Sequence, residues 1–143
     1  MNAVFTRPSI SQDAAMAVLD AAIAAAKDLG APKVAVAVLD ESGLLKAFSR
    51  MDGAPLVAVE VAQNKAYTAL YGLPSGTLFD AIKGDPALLT SMPLVSRFTL
   101  IGGGLPIAVD DTIVGAVGVS GGTVDQDVEC ARAALRALAP VAG

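Results

Sequence analysis

Val34-Ala35-Val36-Ala37-Val38-Leu39-Asp40-Glu41-Ser42-Gly43-Leu44, running on to Met51, is the stretch that decides the fold class. Val34 to Asp40 is a short apolar run rich in β-branched residues, the pattern of a strand buried in a core. Glu41-Ser42-Gly43 is a turn signal, and Leu44 to Met51 reads as a second strand. Two strands joined by so short a loop pair antiparallel. A second hairpin is expected over Leu105 to Val109 and Thr112 to Val119, turning at Asp110-Asp111. Phe98 to Ile101 reads as one more short strand, leading into Gly102-Gly103-Gly104.

Helices surround these strands. Ser9 with Gln12 fits a capping box and predicts a helix from about Ile10 to Leu29, with Ala15, Val18, Ala22, Ala25 and Leu29 as its apolar stripe. Gly30 and Pro32 stop it. Pro55 opens a helix reaching about Tyr71, Ser75 to Lys83 forms a shorter one, and Asp85-Pro86 starts a further turn before an irregular Met92 to Arg97. Thr123 with Gln126 caps a last helix, whose stripe is read as Val124, Val128, Ala131, Leu135 and Leu138. Hairpins covered by helices make the class α+β rather than doubly wound, with residues 1–143 as a single domain.

Composition narrows the function. The 143 residues include 54% hydrophobic and 17% charged side chains, enough to bury a core and too apolar for intrinsic disorder. Ten cations against 14 acids leave a net charge of −4, which argues against a nucleic-acid partner. With no His, the chain has no Ser-His-Asp triad, no Cys-His dyad and no His ligand for zinc or haem. The single Cys130 excludes an intrachain disulfide and reads as a small core residue. No metal site is expected. The apolar stretch from Ala14 to Ala26 is too short and too charged at its ends to span a bilayer, so a cytoplasmic protein without a membrane partner is expected. So apolar a small domain suggests self-association.

Lys65 is the sharpest chemical signal. On a helix turning ~100° per residue, Ala58, Val61, Ala62 and Ala69 share its face within ~50°, while Glu60, Gln63, Asn64, Tyr67 and Tyr71 lie opposite. An ammonium in the middle of an apolar face is costly to desolvate alone. It can snorkel to an edge, pair with a carboxylate such as Asp40 or Asp52, or line a pocket as an anion-binding or proton-transferring group. Arg50-Met51-Asp52-Gly53 leaves the end of a strand and reads either as a surface turn or as a wall of a cleft. The glycine loops Gly102-Gly103-Gly104 and Ser120-Gly121-Gly122-Thr123 are tight turns or, for the second, amides able to cradle a carboxylate or phosphate. Neither matches a Walker loop or a dinucleotide fingerprint.

Taken together, several separated motifs resemble the GlcG/HbpS family. They are Val36-Ala37-Val38-Leu39-Asp40 with Gly43, then Arg50-Met51-Asp52-Gly53-Ala54, then Ala62-Gln63-Asn64-Lys65-Ala66-Tyr67-Thr68-Ala69. They continue through Gly103-Gly104-Leu105-Pro106-Ile107 and Val114-Gly115-Ala116-Val117-Gly118-Val119-Ser120-Gly121-Gly122-Thr123 to Asp127. The likeness spans about Ser9 to Leu138. It implies a profilin-like fold with an antiparallel sheet of about five strands and flanking helices, and a homo-oligomer, often an octamer. The family includes a haem-binding sensor component and the C-terminal domain of PduO-type corrinoid adenosyltransferases. Haem is therefore the cofactor the resemblance suggests. The better-known members ligate it with His, and here Tyr67, Tyr71, Met51 or Cys130 could ligate iron in principle, with nothing favouring one of them. The family's recurrent polar positions fall on Asp40, Arg50, Asp52, Lys65, Thr68 and Ser120, accompanied by the glycine loops.

Three functions fit. The first is a protein binding a small organic ligand or a tetrapyrrole in a pocket of a homo-oligomer, with Asp40, Thr68, Gly103, Gly104, Ser120, Gly121 and Gly122 lining the site. The second is a cofactor-independent isomerase, tautomerase, hydratase or decarboxylase acting on a small carboxylate. There Lys65 moves the proton, Asp52 or Asp40 partners it and Arg50 clamps the substrate. The third is a module that only assembles a larger complex.

Overall fold

A computed structural model describes residues 1–30 and 32–138 of the chain. Helix α1 (Gln12–Asp28) is followed by strands β1 (Ala35–Asp40) and β2 (Leu45–Arg50), then helices α2 (Ala58–Ala69), α3 (Thr77–Ile82) and α4 (Pro86–Ser91). A 3-10 turn, Met92–Leu94, leads to strands β3 (Gly104–Val109) and β4 (Thr112–Ser120) and to helix α5 (Val124–Arg136). Among the described residues there is one sheet of four strands, ordered β2-β1-β4-β3 with every neighbour antiparallel. The α+β class holds, with four strands in place of about five. Phe98 to Ile101 is not a strand. Its Phe98 packs with Leu78 and Ile82, and the Thr99 amide donates to the hydroxyl of Thr68 on α2 instead of joining a ladder.

Side-chain size assigns the two faces of the sheet. Strand side chains alternate between faces. Val36 and Val38 of β1, Val117 and Val119 of β4, and Leu105 and Ile107 of β3 enter one core with Val18, Ala22, Cys130 and Ala131 of α1 and α5. The other face carries small residues, Ala35 and Ala37 of β1 and Ala116 of β4, against Ala58, Ala62, Ala66 and Ala69 of α2. The result is three layers, and β1 is apolar from Ala35 to Leu39 because both its faces are covered.

Helix α2 lies on the sheet at backbone contact. Gly104 and Gly118 face each other in the β3–β4 ladder. A methyl at Gly118 would overlap the carbonyl oxygen of Ala62, and one at Gly104 the carbonyl oxygen of Lys65. These two glycines are the seat on which the helix rests.

The helix ends shift slightly from the sequence reading. Ser11, not Ser9, caps α1, accepting from the Ala14 amide at 3.1 Å. The Ile10 amide instead donates to Val114 of β4, which ties that residue to the sheet before the helix begins. Pro55 lies in a turn ahead of α2, its carbonyl accepting from the Ala58 amide. The Thr123–Gln126 capping box forms as read, but the buried face of α5 is Asp127, Cys130, Ala131 and Ala134. Val124 is exposed, and Leu138 beyond the helix is buried. The α1 stripe turns likewise, with Leu19 and Ala26 buried and Leu29 exposed. Asp110 and Asp111 both take positive φ, at 50° and 62°, the pattern of a type I′ hairpin turn without glycine.

Gly118→Ala is expected to destabilise the protein by about 3 kcal/mol, because the added methyl must push α2 off the sheet. Gly84→Ala, at a site with nothing within 4 Å of the new methyl, should stay within about 0.5 kcal/mol of the parent. Urea midpoints at constant m measure both.

Candidate functional site

Lys65 lies on the sheet-facing side of α2 and is only 1% exposed. Its ammonium donates to the carbonyl of Val119 and to Oδ2 of Asp127, each at 2.9 Å. The second oxygen of Asp127 accepts from the Gly122 amide, also at 2.9 Å. Helix α2 is on one face of the sheet and Asp127 belongs to α5 on the other. The lysine stem therefore carries its charge past the end of β4 to the opposite layer. Burial pushes the Lys65 ammonium below the usual lysine range, while the Asp127 charge and hydrogen bond pull it back up.

The glycine loops close around this pair. Gly103 has φ 124°, and a Cβ there would lie 2.6 Å from the Val119 oxygen and 2.9 Å from the Lys65 nitrogen. Only glycine fits. The Gly103 carbonyl accepts from the Val119 amide at 2.9 Å. The Gly104 amide donates to the buried Ser75 hydroxyl, which in turn donates to the Ile101 carbonyl. In the second loop the Gly122 amide serves Asp127 and the Thr123 amide serves the Gln126 side chain. This loop does cradle a carboxylate, and the carboxylate is the chain's own.

The structure brings Lys65 together with Gly103, Gly104 and Gly122, with Ser120 and Gly121 next along the same backbone. It separates the others. The expected partners Asp40 and Asp52 do not reach the ammonium. Asp40 stands at the far end of β1, where its Oδ1 accepts from the amides of Ser42 and Leu44 and closes the first hairpin. Arg50 ends edge strand β2 and Asp52 follows it, and both line a separate cleft with Lys27 and Lys33. Thr68 is a tie: its hydroxyl donates to the Asn64 carbonyl and accepts from the Thr99 amide. Asp127 and Ser75 are the residues that sequence reasoning did not select. The capping box beside Asp127 was legible, but its first-turn acids Asp125 and Asp127 look alike in sequence.

A groove of about 640 Å³ runs past the first glycine loop. Phe79, Leu100, Val124 and Val128 make its walls, Gly102 to Gly104 its floor, and Arg132 its one cation. Val124, Val128 and Arg132 follow at four-residue spacing on α5, so one helix face supplies apolar wall and charge together. Arg132 makes no ion pair among the described residues. Lys65 is behind the floor, not in the lining of this groove. A substrate reaches its nitrogen only if the Gly103 loop moves. Cys130 is fully buried, and burial with the nearby charges of Asp127 and Glu129 pushes its thiol up to about 11.

Residues 10–136 match the model of the family described as haem degrading protein HbpS-like. The chain belongs to this family. A relative, a 15.0 kDa protein of the dhaT-dhaS intergenic region of Citrobacter freundii, is 37% identical over 130 residues, covering 89% of this chain and 90% of that one. The corrinoid adenosyltransferase PduO of Salmonella typhimurium is 34% identical over 121 residues, 82% of this chain but 35% of the enzyme. The HbpS-like chain thus corresponds to about a third of that protein's length. A crystal structure of PduOC in complex with haem superposes with a TM-score of 0.83 at 30% identity, covering 92% of this chain and 96% of the other. No helix among the described residues is long and apolar enough to cross a membrane.

Lys65→Met should cost about 3–5 kcal/mol, since it leaves the Asp127 carboxylate buried without its counter-charge. Adding Asp127→Asn should recover more than half of the loss, because the asparagine oxygen still accepts from Gly122 while the orphaned charge is gone. Denaturant unfolding of the two single variants and the double variant measures this coupling.

Proposed function

We propose that the protein binds a small organic ligand, a tetrapyrrole or another flat apolar carboxylate, in the groove between the first glycine loop and α5. The observation that carries this reading is the groove itself, apolar on its walls with Arg132, unpaired among the described residues, as its cation. Its volume of about 640 Å³ lies within the range usual for small-molecule sites. An apolar body would rest on Phe79, Leu100 and Val128, with a carboxylate held by the guanidinium fork. The haem complex of a family relative with the same fold supports a ligand of this class.

The residues present do not fit an axially ligated haem iron within one chain. Cys130 is enclosed in the core, Met51 packs against the same core, Tyr67 lies under the Arg97 guanidinium at 4.2 Å, and Tyr71 is exposed beyond α2. None of the four lines the groove. The reading therefore rests on the ring and its carboxylates, not on the metal. Proton transfer by Lys65 draws no support from this geometry, because the ammonium is enclosed and already paired. Self-association belongs to the proposal, with Leu56, Leu94 and Tyr71 as exposed apolar groups for a neighbouring copy to cover and an octamer as the size the family likeness suggests. A cytoplasmic location belongs to it as well.

Protoporphyrin IX and haemin titrations, followed by fluorescence and Soret absorbance, test the site. Both should bind saturably. Arg132→Gln should weaken them about tenfold through loss of a charged hydrogen bond. Val124→Trp, at a half-exposed wall position, should block the groove without unfolding the chain. Absence of saturable binding, or binding untouched by Val124→Trp, overturns the proposal.

A further inference from the structure

A second cleft, of about 330 Å³, opens where the end of α1, the residues before β1 and the end of β2 converge. It shares no lining residue with the groove. Lys27, Lys33 and Arg50 all line it, with Asp52 as the single carboxylate. Three of the chain's 10 cations thus gather in one small cleft of a protein whose net charge is −4. The ion pairs among the described residues are Lys65–Asp127, Lys83–Asp80 and Arg136–Glu129, so none of the three is neutralised by a partner. Like charges held together unpaired repel, and an anion arriving among them relieves that repulsion.

The backbone fixes two of these cations. Arg50 stands opposite Ala35 in the β1–β2 ladder, and the Met51 amide donates to the Val34 carbonyl at 2.9 Å. Lys33 directly precedes Val34, so its position is set by the same ladder. Its stem lies along Gly53, where a Cβ would sit 3.8 Å from the lysine Cγ. Lys27 is in the last turn of α1, where the helix dipole already favours a cation. Lys33 and Arg50 have no such duty.

Lys33 also lines a neighbouring cleft of about 470 Å³ with Gly121, Gly122 and Thr123 at the start of α5. The amides of Gly122 and Thr123 are occupied internally by Asp127 and Gln126. The charge that attracts a ligand is therefore on the Lys33–Arg50 side.

We propose that this cleft binds the phosphate group of a small phosphorylated metabolite. A guanidinium fork and two ammonium groups lining one cleft offer several donors, which suits a tetrahedral dianion better than a planar monocarboxylate. Ile23 and Met51 give the rest of the molecule an apolar floor.

The probes are pyrophosphate and inorganic phosphate, titrated calorimetrically into the full chain with ionic strength held constant by sodium chloride. Both should bind saturably, pyrophosphate the tighter. Lys33→Gln and Arg50→Gln should each weaken pyrophosphate about tenfold, the loss of one charged hydrogen bond. Lys83→Gln, which removes an exposed lysine paired elsewhere, should leave it unchanged. Both positions are exposed, so circular dichroism of the variants should match the parent. No saturable heat at matched ionic strength, or equal weakening by Lys83→Gln, overturns the proposal.

Discussion

A charge taken out of water must be met by its opposite, and in this protein that requirement joins the three layers at one end. Lys65 leaves α2 on the small-residue face and meets Asp127 of α5 across the end of the sheet. Two neutral contacts complete the pair, the Val119 carbonyl for the ammonium and the Gly122 amide for the carboxylate. Such a pair adds little stability over an apolar replacement but is costly to break. Its effect is positional: it sets how α2, β4, α5 and both glycine loops stand relative to one another.

That geometry depends on residue size more than on hydrophobicity. Valine, isoleucine and leucine fill the face toward α1 and α5, while alanine and glycine, flanked by Leu39 and Phe48, line the face toward α2. The small face lets the helix backbone approach Gly104 and Gly118 closely. At that distance a lysine stem is long enough to pass the sheet. A larger side chain at 104 or 118 would move the ammonium away from Asp127 as well as loosening the helix.

Much of this was legible in the residues. The alternation Val34-Ala35-Val36-Ala37-Val38 carries both the strand and its two unlike faces, although only the strand was read from it. The hairpins followed from Gly43 and from Asp110-Asp111, and the α5 cap from Thr123 and Gln126. Lys65 stood out because an ammonium is anomalous among alanines. Its partner did not, because Asp127 is 62 positions away and sits in a helical first turn, where acids are ordinary. Local pattern also failed at Phe98 to Ile101, where a side-chain hydroxyl on Thr68 satisfies the backbone that a neighbouring strand was expected to satisfy. It failed again on α5, where the buried carboxylate rotates the inward face away from Val124 and Val128 and leaves those two valines for the groove.

The two ligand sites proposed for this protein are on the outside of a locked frame. The groove and the basic cleft both open beside backbone that the pair or the ladder holds still, and neither needs the buried lysine as a reagent. Amide hydrogen exchange at Gly122, Gly104 and Val119 tests the lock most directly. In the parent these amides should open only with global unfolding, and in Asp127→Ala, which removes both the charge and the acceptor, they should exchange through local opening while the β1–β2 ladder stays protected. Unchanged protection at all three amides in Asp127→Ala would contradict the central role given to the Lys65–Asp127 pair.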